Sequence, residues 1–151
     1  MRRRALALLL LLPGCLGETI PAPPPGALDQ AGPSGPHTAI AAPASRVPAP
    51  DLTTRRYPLP AARLFTAITA VAATEPRTEP LTTYPAQLEA SFVARSRIFG
   101  FPDVILLRVT PQGEAASELT LHSSSLYGYS DLGVNRRRLE HWLARLETVL
   151  P

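Results

Sequence analysis

Proline is concentrated between residues 21 and 60, where it occupies eleven of the forty positions. Proline has no backbone N–H and a fixed φ, so a stretch this rich in it is disfavoured inside helices and sheets. Large apolar residues are also few there, and such a composition buries too little surface to offset chain entropy. We therefore predict that residues 15–57 form a disordered tether and that the folded domain spans residues 58–151.

The start of the chain has the pattern of an export signal. Three arginines at positions 2–4 precede eight apolar residues at 5–12, and the segment then ends in Leu12-Pro13-Gly14-Cys15. Eight apolar residues are far short of the ~20 that span a bilayer as a helix, whereas a basic start and a short apolar stretch are typical of a secretory signal. The closing segment resembles the lipobox of bacterial lipoproteins. That resemblance implies removal of a signal peptide, residues 1–14, and attachment of lipid to Cys15.

A lipid on Cys15 predicts a location in the bacterial cell envelope, with membrane lipid as the first partner. Leu16 stands where many inner-membrane lipoproteins have Asp, so the same resemblance favours the outer membrane, facing the periplasm, if the cell has one. The alternative is an ordinary signal peptide that happens to end near a cysteine.

The formal net charge of +3 does not describe the exported protein. Removing Arg2, Arg3 and Arg4 with the signal leaves twelve arginines against twelve acidic residues. Nucleic-acid binding depends on a basic surface that neutralises phosphates, so we expect no nucleic-acid partner. One cysteine excludes an internal disulfide, and the three histidines are far apart in sequence. We therefore predict no metal site and no cofactor.

Residues after the proline-rich stretch predict an α+β fold. Apolar residues recur with helical spacing between Pro60 and Pro76, and four strand-like segments follow at 77–84, 88–98, 104–110 and 116–125. Prolines confine the first of these to a sheet edge, while the third is almost continuously apolar, as is typical of a central strand. Short turns between the segments indicate an antiparallel meander. We predict a small antiparallel sheet of three to four strands, with an N-terminal and a C-terminal helix packed on it.

The end of the chain predicts a strongly amphipathic helix with one polar residue, Asn135, on its buried face. We expect this helix to begin at Ser130 or Asp131, with Ser130 as its cap. A later start would place three consecutive arginines, 136–138, at the positive end of the helix dipole, which disfavours cations. The buried face contains, in chain order, Leu132, Asn135, Leu139, Trp142, Leu146 and Val149.

A buried Asn must find hydrogen-bond partners, and we expect Asn135 to find them in the segment 123–129. With Asp131 and Arg138 on the same edge of the helix, we interpret this cluster as a polar clasp between the last strand and the last helix. The alternative is a binding site for a small anionic or polar ligand beneath the helix N-terminus.

A catalytic triad is a third interpretation, because histidine, serine and aspartate all occur near the last strand. Adjacent residues on a strand point to opposite faces, however, so His122 and Ser123 do not meet. The chain also has no Gly-x-Ser-x-Gly turn that would expose a nucleophilic serine. We therefore disfavour nucleophilic catalysis.

Two segments resemble landmarks of the domain of unknown function 1499 family. One is Ser130-Asp131-Leu132-Gly133-Val134-Asn135 with the arginines at 136–138, and the other runs from Arg95 to Asp103. The resemblance covers residues 60–150 and implies a small bacterial α+β module with no assigned activity. It also implies that an ionic or ligand-binding network of the family would be incomplete here, since His122, Leu126 and Val104 replace its usual arginines and acid.

These observations predict a lipid-anchored envelope protein whose folded domain is a non-enzymatic binding or structural module at the membrane surface. Its partner beyond lipid would be an envelope protein or a small ligand. The alternative is a ligand-binding or hydrolytic domain with a polar site around residues 123–138. The candidate residues of the polar cluster or ligand site are Arg95, Asp103, Ser125, Ser130, Asp131, Asn135 and Arg138.

Overall fold

The computed structural model describes residues 19–150, so the predicted signal peptide and Cys15 lie outside the described part of the chain. A 3₁₀ turn at Ala27–Gln30 precedes the regular elements. These are β1 (Thr38–Ala42), β2 (Leu52–Thr53), α1 (Ala61–Ala73), β3 (Thr78–Tyr84), β4 (Glu89–Arg95), β5 (Pro102–Pro111), β6 (Ser117–Ser125) and α2 (Val134–Val149).

The strands form one mixed sheet in the order β2-β1-β6-β5-β4-β3. β1 and β2 are parallel, and all other neighbours are antiparallel. The predicted meander over β3 to β6 is confirmed, with β3 at an edge and the apolar β5 between two partners. A register shift after Pro80 accommodates the proline in the edge strand.

Both helices share one hydrophobic core with the sheet. Alternate residues of β4, β5 and β6 point into this core, because side chains alternate between the two faces of a strand. The ring of Phe92 meets Trp142 of α2 edge to face, with centroids 5.8 Å apart. The predicted N-terminal and C-terminal helices are therefore confirmed as the layer that covers the sheet.

The prediction of a three- or four-stranded antiparallel sheet is wrong, because it lacks β1 and β2. β1 pairs with the whole end of β6, from Thr38 opposite Ser124 to Ala41 opposite Leu121. Its core-facing residues, Ala39 and Ala41, are completely or almost completely buried beneath α2. Small side chains let the helix approach the strand closely, which explains why a strand with a single large apolar residue is stable here.

The predicted tether over 15–57 is therefore also wrong for its described part, residues 19–57. Besides β1 and β2, the 3₁₀ turn packs against the sheet face that the helices leave open, where Leu28 is buried. Arg108 of β5 bonds both Asp29 of this turn and Glu89 of β4, and the backbone N–H of Gly26 donates to Glu89 at 2.7 Å. Contacts with distant strands supply the burial that this segment's own composition lacks.

The predicted start of α2 is wrong by several residues. Leu132 and Gly133 have φ values of 53° and 79°, which are left-handed and end any helix that begins at Ser130 or Asp131. Leu132 is consequently exposed, as is Val149 at the other end, although both were predicted on the buried face. Asn135, Leu139, Trp142 and Leu146 are buried as predicted. Within residues 19–150, no helix combines the length and apolar character needed to cross a membrane.

The position of β1 in the sheet predicts that Ala41→Asp is strongly destabilising. The new carboxylate would lie among apolar side chains, and an unpaired buried charge costs several kcal/mol. We expect the melting temperature, followed by circular dichroism, to fall by roughly 10 °C or more. Ala44→Asp, in the exposed segment after β1, is the matched control and should melt like the wild type. Equal melting of both variants would contradict the assignment of β1.

Candidate functional site

Asn135 is the centre of the polar cluster, and it is completely buried. Its Oδ1 accepts hydrogen bonds from Ser123 Oγ at 2.5 Å and from an Arg138 guanidinium nitrogen at 2.6 Å. Its Nδ2 donates to Ser125 Oγ and to the carbonyl oxygen of His37, both at 3.0 Å. An amide side chain has two donor hydrogens and two acceptor lone pairs, so Asn135 has no hydrogen-bonding capacity left for a ligand.

Arg138 joins this amide to an acid on β5. Its guanidinium donates to Asp103 Oδ2 at 2.6 Å and to Ser123 Oγ at 2.9 Å. Both charged side chains are nearly buried, at 13% exposed for Arg138 and 7% for Asp103. Burying two charged side chains costs desolvation energy, and removing either partner would leave the other as an uncompensated buried charge. The two ions thus compensate each other between the sheet and α2.

Asp131 lies two residues before Gly133, the N-cap position of α2, and its side chain reaches the first backbone N–H groups of the helix. Its two carboxylate oxygens accept from the backbone N–H groups of Gly133 and Asn135, each at 2.7 Å. This negative charge interacts favourably with the positive end of the helix dipole. It also offsets the unfavourable effect of the arginines, which the late start places in the first turn. Ser130 Oγ accepts only from Leu132 N, at 3.3 Å, so the prediction of Ser130 as the helix cap is wrong.

Arg95 does not join the cluster. Its guanidinium donates to the carbonyl oxygen of Gly100 at 3.4 Å. It lines an open cleft of about 260 Å³ between the ends of β3 and β4 and the start of α2, together with Arg77, Arg137 and Arg138. Three of these arginines have no carboxylate partner among the described residues. The one acid of the lining, Glu75, pairs with His141 and Arg145, so the cleft has a net positive charge.

His122 lies on the opposite face of β6 from Ser123 and Ser125, as the alternation along the strand predicts. It is almost completely buried, and its Nε2 has no hydrogen-bond partner among the described residues. The pKa of His122 is lowered to about 4. Burial is the largest cause, and the positive charge of Arg46 also lowers the pKa, whereas the negative charge of Asp51 raises it by less. Histidine and serine are therefore not placed for nucleophilic catalysis.

In the part of the chain that the structure describes, no three or more His, Cys, Asp or Glu side chains are arranged to hold a metal ion. The expectation that the protein needs no cofactor stays a prediction.

Residues 18–146 match the family model described as Protein of unknown function (DUF1499). The chain belongs to this family. The match begins 42 residues before the region where sequence motifs suggested it, so it includes β1 and β2 in the DUF1499 domain.

No curated protein matches this DUF1499 chain. Among solved structures it is similar to a Thermobifida fusca protein determined in solution by NMR for a structural genomics consortium. The two are 11% identical with a TM-score of 0.44, and the similarity covers 70% of this chain and 82% of the other. At that TM-score we draw no conclusion from the likeness.

The sequence analysis correctly predicted that most residues of the polar cluster of this DUF1499 protein lie close together. It did not identify two hydrogen-bond partners of Asn135. Asn135, Arg138, Asp103 and Ser125 do come together, whereas Arg95 does not. Ser123, which bonds both Asn135 and Arg138, was predicted only as one of several partners in the segment 123–129. The carbonyl of His37 had no signal, because that residue lies in the segment predicted as a tether.

The buried His122 predicts acid sensitivity of the DUF1499 domain. The unfolded chain binds a proton near pH 6.5, whereas the folded chain does so only near pH 4. The contribution of His122 to the free energy of unfolding is therefore fully present above pH 6.5. As the pH falls toward 4, the domain loses on the order of 2–3 kcal/mol of this free energy.

Urea unfolding of the wild type and of His122→Leu at pH 7 and pH 4.5 measures this effect. The wild type should lose more free energy of unfolding between the two pH values than the variant does. The same loss in both proteins would show that His122 is not the group responsible.

Proposed function

We propose that this protein is a lipid-anchored cell-envelope protein whose DUF1499 domain is a non-enzymatic binding or structural module at the membrane surface. The observation that carries the non-enzymatic part is the internal pairing of Asn135, Arg138 and Asp103. These polar side chains would otherwise be the strongest catalytic candidates, but they already bond each other. Asn135 is completely buried, and Arg138 and Asp103 are nearly buried. Removing them from this arrangement would expose unpaired charges in the core rather than free a reactive group.

The anchoring part of the proposal is supported by the sequence of the first fifteen residues. A basic start, a short apolar stretch and a lone cysteine after Gly14 match the requirements for export followed by lipid attachment. Each buried methylene contributes about 0.8 kcal/mol to membrane binding, so one acyl chain holds weakly and two or three hold firmly. A diacylglycerol and a further acyl chain on Cys15 would keep the domain at the membrane, with the outer membrane favoured where one exists.

The ligand-binding alternative has one observation in its favour, the arginine-lined cleft beside Arg95. A small anion would find unpaired guanidinium groups there, outside the buried cluster. The hydrolytic alternative has no such support, because Ser123 and Ser125 point to the opposite face of β6 from His122, and Ser124, on the same face, is two residues, or about 7 Å, along the strand.

Metabolic labelling with a fatty acid tests the anchor. The wild-type chain, expressed in a bacterium and recovered by immunoprecipitation, should carry the label and sediment with membranes. Cys15→Ser keeps the apolar stretch but lacks the thiol, so it should carry no label. Absence of label on the wild type would end the lipoprotein proposal and leave the account of the folded domain untouched.

A further inference from the structure

Eight large apolar side chains are exposed at one end of the domain, on two loops and on the first residue of α2. The four most exposed, Ile98, Phe99, Tyr129 and Leu132, have between 68% and 86% of their surface accessible. Such patches on a protein surface mark interaction sites. We call this end the apolar tip, and it consists of residues 97–101 and 126–134; its other exposed apolar residues include Phe101, Leu126 and Val134.

The fold brings the two loops together. The first connects β4 to β5, and the second follows β6, which is the other neighbour of β5. Arg95 is the register partner of Pro102, and Leu126 N donates to the carbonyl oxygen of the same Pro102 at 3.1 Å. The loops therefore leave the sheet side by side, and each carries exposed apolar side chains.

The first loop has the wrong composition for an ordinary turn. Turns between strands favour Gly, Pro, Asn, Asp and Ser, whereas this one reads Arg97-Ile98-Phe99-Gly100-Phe101. Its backbone is held firmly, since Ser96 Oγ accepts from Phe101 N at 2.9 Å and Ser96 N donates to Phe101 O at 2.9 Å. Phe99 and Phe101 are stacked on each other, with centroids 5.5 Å apart. The loop thus presents aromatic rings to solvent on a fixed base.

Arginines without carboxylate partners surround this tip. Arg97 lies in the first loop, Arg95 at its base, and Arg77 beside Arg95, whose carbonyl oxygen accepts from Arg77 Nε at 3.3 Å. Arg137 donates to the carbonyl oxygen of Leu132 in the second loop at 3.1 Å. None of the four is among the ion pairs of the described residues, and Asp131, the acid within the loops, is occupied with backbone N–H groups. The tip is apolar with a positive rim.

We infer that the apolar tip inserts into the interface of an anionic phospholipid bilayer. Apolar and aromatic side chains enter the boundary between headgroups and acyl chains, and each arginine near an anionic surface adds attraction. An anionic bilayer complements both parts of this surface, because acyl chains accept the apolar side chains and anionic headgroups attract the arginines. This inference rests on the proposed function, which puts the domain at a membrane; it adds which surface faces the lipid.

A tryptophan placed at the tip reports insertion in the full chain, whether or not an acyl anchor is present. The chain carrying Phe99→Trp is mixed with vesicles of phosphatidylglycerol and phosphatidylcholine whose acyl chains are brominated. Ala115→Trp is the control, because it lies in the exposed turn between β5 and β6, at the other end of β5. The native Trp142 is buried, so the wild-type emission can be subtracted.

We expect the tip tryptophan to lose about half of its emission, because an interfacial apolar face lies about 5–10 Å deep, within reach of the bromines. The Ala115→Trp emission should not change. Arg97→Gln added to Phe99→Trp should weaken the quenching, whereas Arg63→Gln, an exposed arginine on α1, should not. Vesicles of phosphatidylcholine alone should quench less.

Two results would overturn the inference. One is a Phe99→Trp protein that sediments with the vesicles while its tip tryptophan emission is not quenched. This result would be consistent with the lipid anchor and would refute insertion of the tip. The other is a stable dimer in sedimentation velocity that Phe99→Ser abolishes, which would assign the tip to a second copy of this chain. Quenching without a fatty-acid label on Cys15 would support the tip and refute the anchor, so the two failures are distinguishable.

Discussion

The rest of the domain depends on the buried amide of Asn135. It joins three segments that are distant in sequence: α2 itself, the end of β6 through Ser123 and Ser125, and the start of β1 through the carbonyl of His37. β1 is the strand whose own residues provide least reason to join the sheet, so its placement relies on contacts with β6 and α2. A buried amide with four partners also fixes the register of α2 against the sheet, because a shift of one residue would break all four of these hydrogen bonds.

The same arrangement decides what the charged residues of the domain can do. Asp103 and Arg138 neutralise each other where both are nearly buried, and Asp131 neutralises the N-terminus of α2. Four arginines that form no ion pair among the described residues, Arg77, Arg95, Arg97 and Arg137, lie around the exposed apolar loops. The charges of the polar cluster are therefore compensated inside the domain, whereas these four cations remain available at one end.

The sequence predicted those parts of the fold that have strong periodic signals. Both helices and the buried face of α2 around Asn135 follow from apolar spacing, and the meander from β3 to β6 follows from that spacing together with the short turns between the segments. β1 could not be found in this way, because Ala39 and Ala41 are buried by a helix that is nearly a hundred residues away in sequence. The start of α2 was also missed, because the left-handed backbone of Leu132 has no side-chain signature and only the following Gly133 hints at it.

The stability of Asn135→Ala tests the account most directly. Removing this amide breaks four hydrogen bonds in a buried network, to Ser123, Ser125, Arg138 and the carbonyl of His37, so urea unfolding should show a loss of about 2–4 kcal/mol. Arg136→Ala, an exposed position in the same turn, is the control and should cost less than about 1 kcal/mol. A wild-type free energy of unfolding in Asn135→Ala would contradict the claim that this residue holds the strand, the sheet and the helix together.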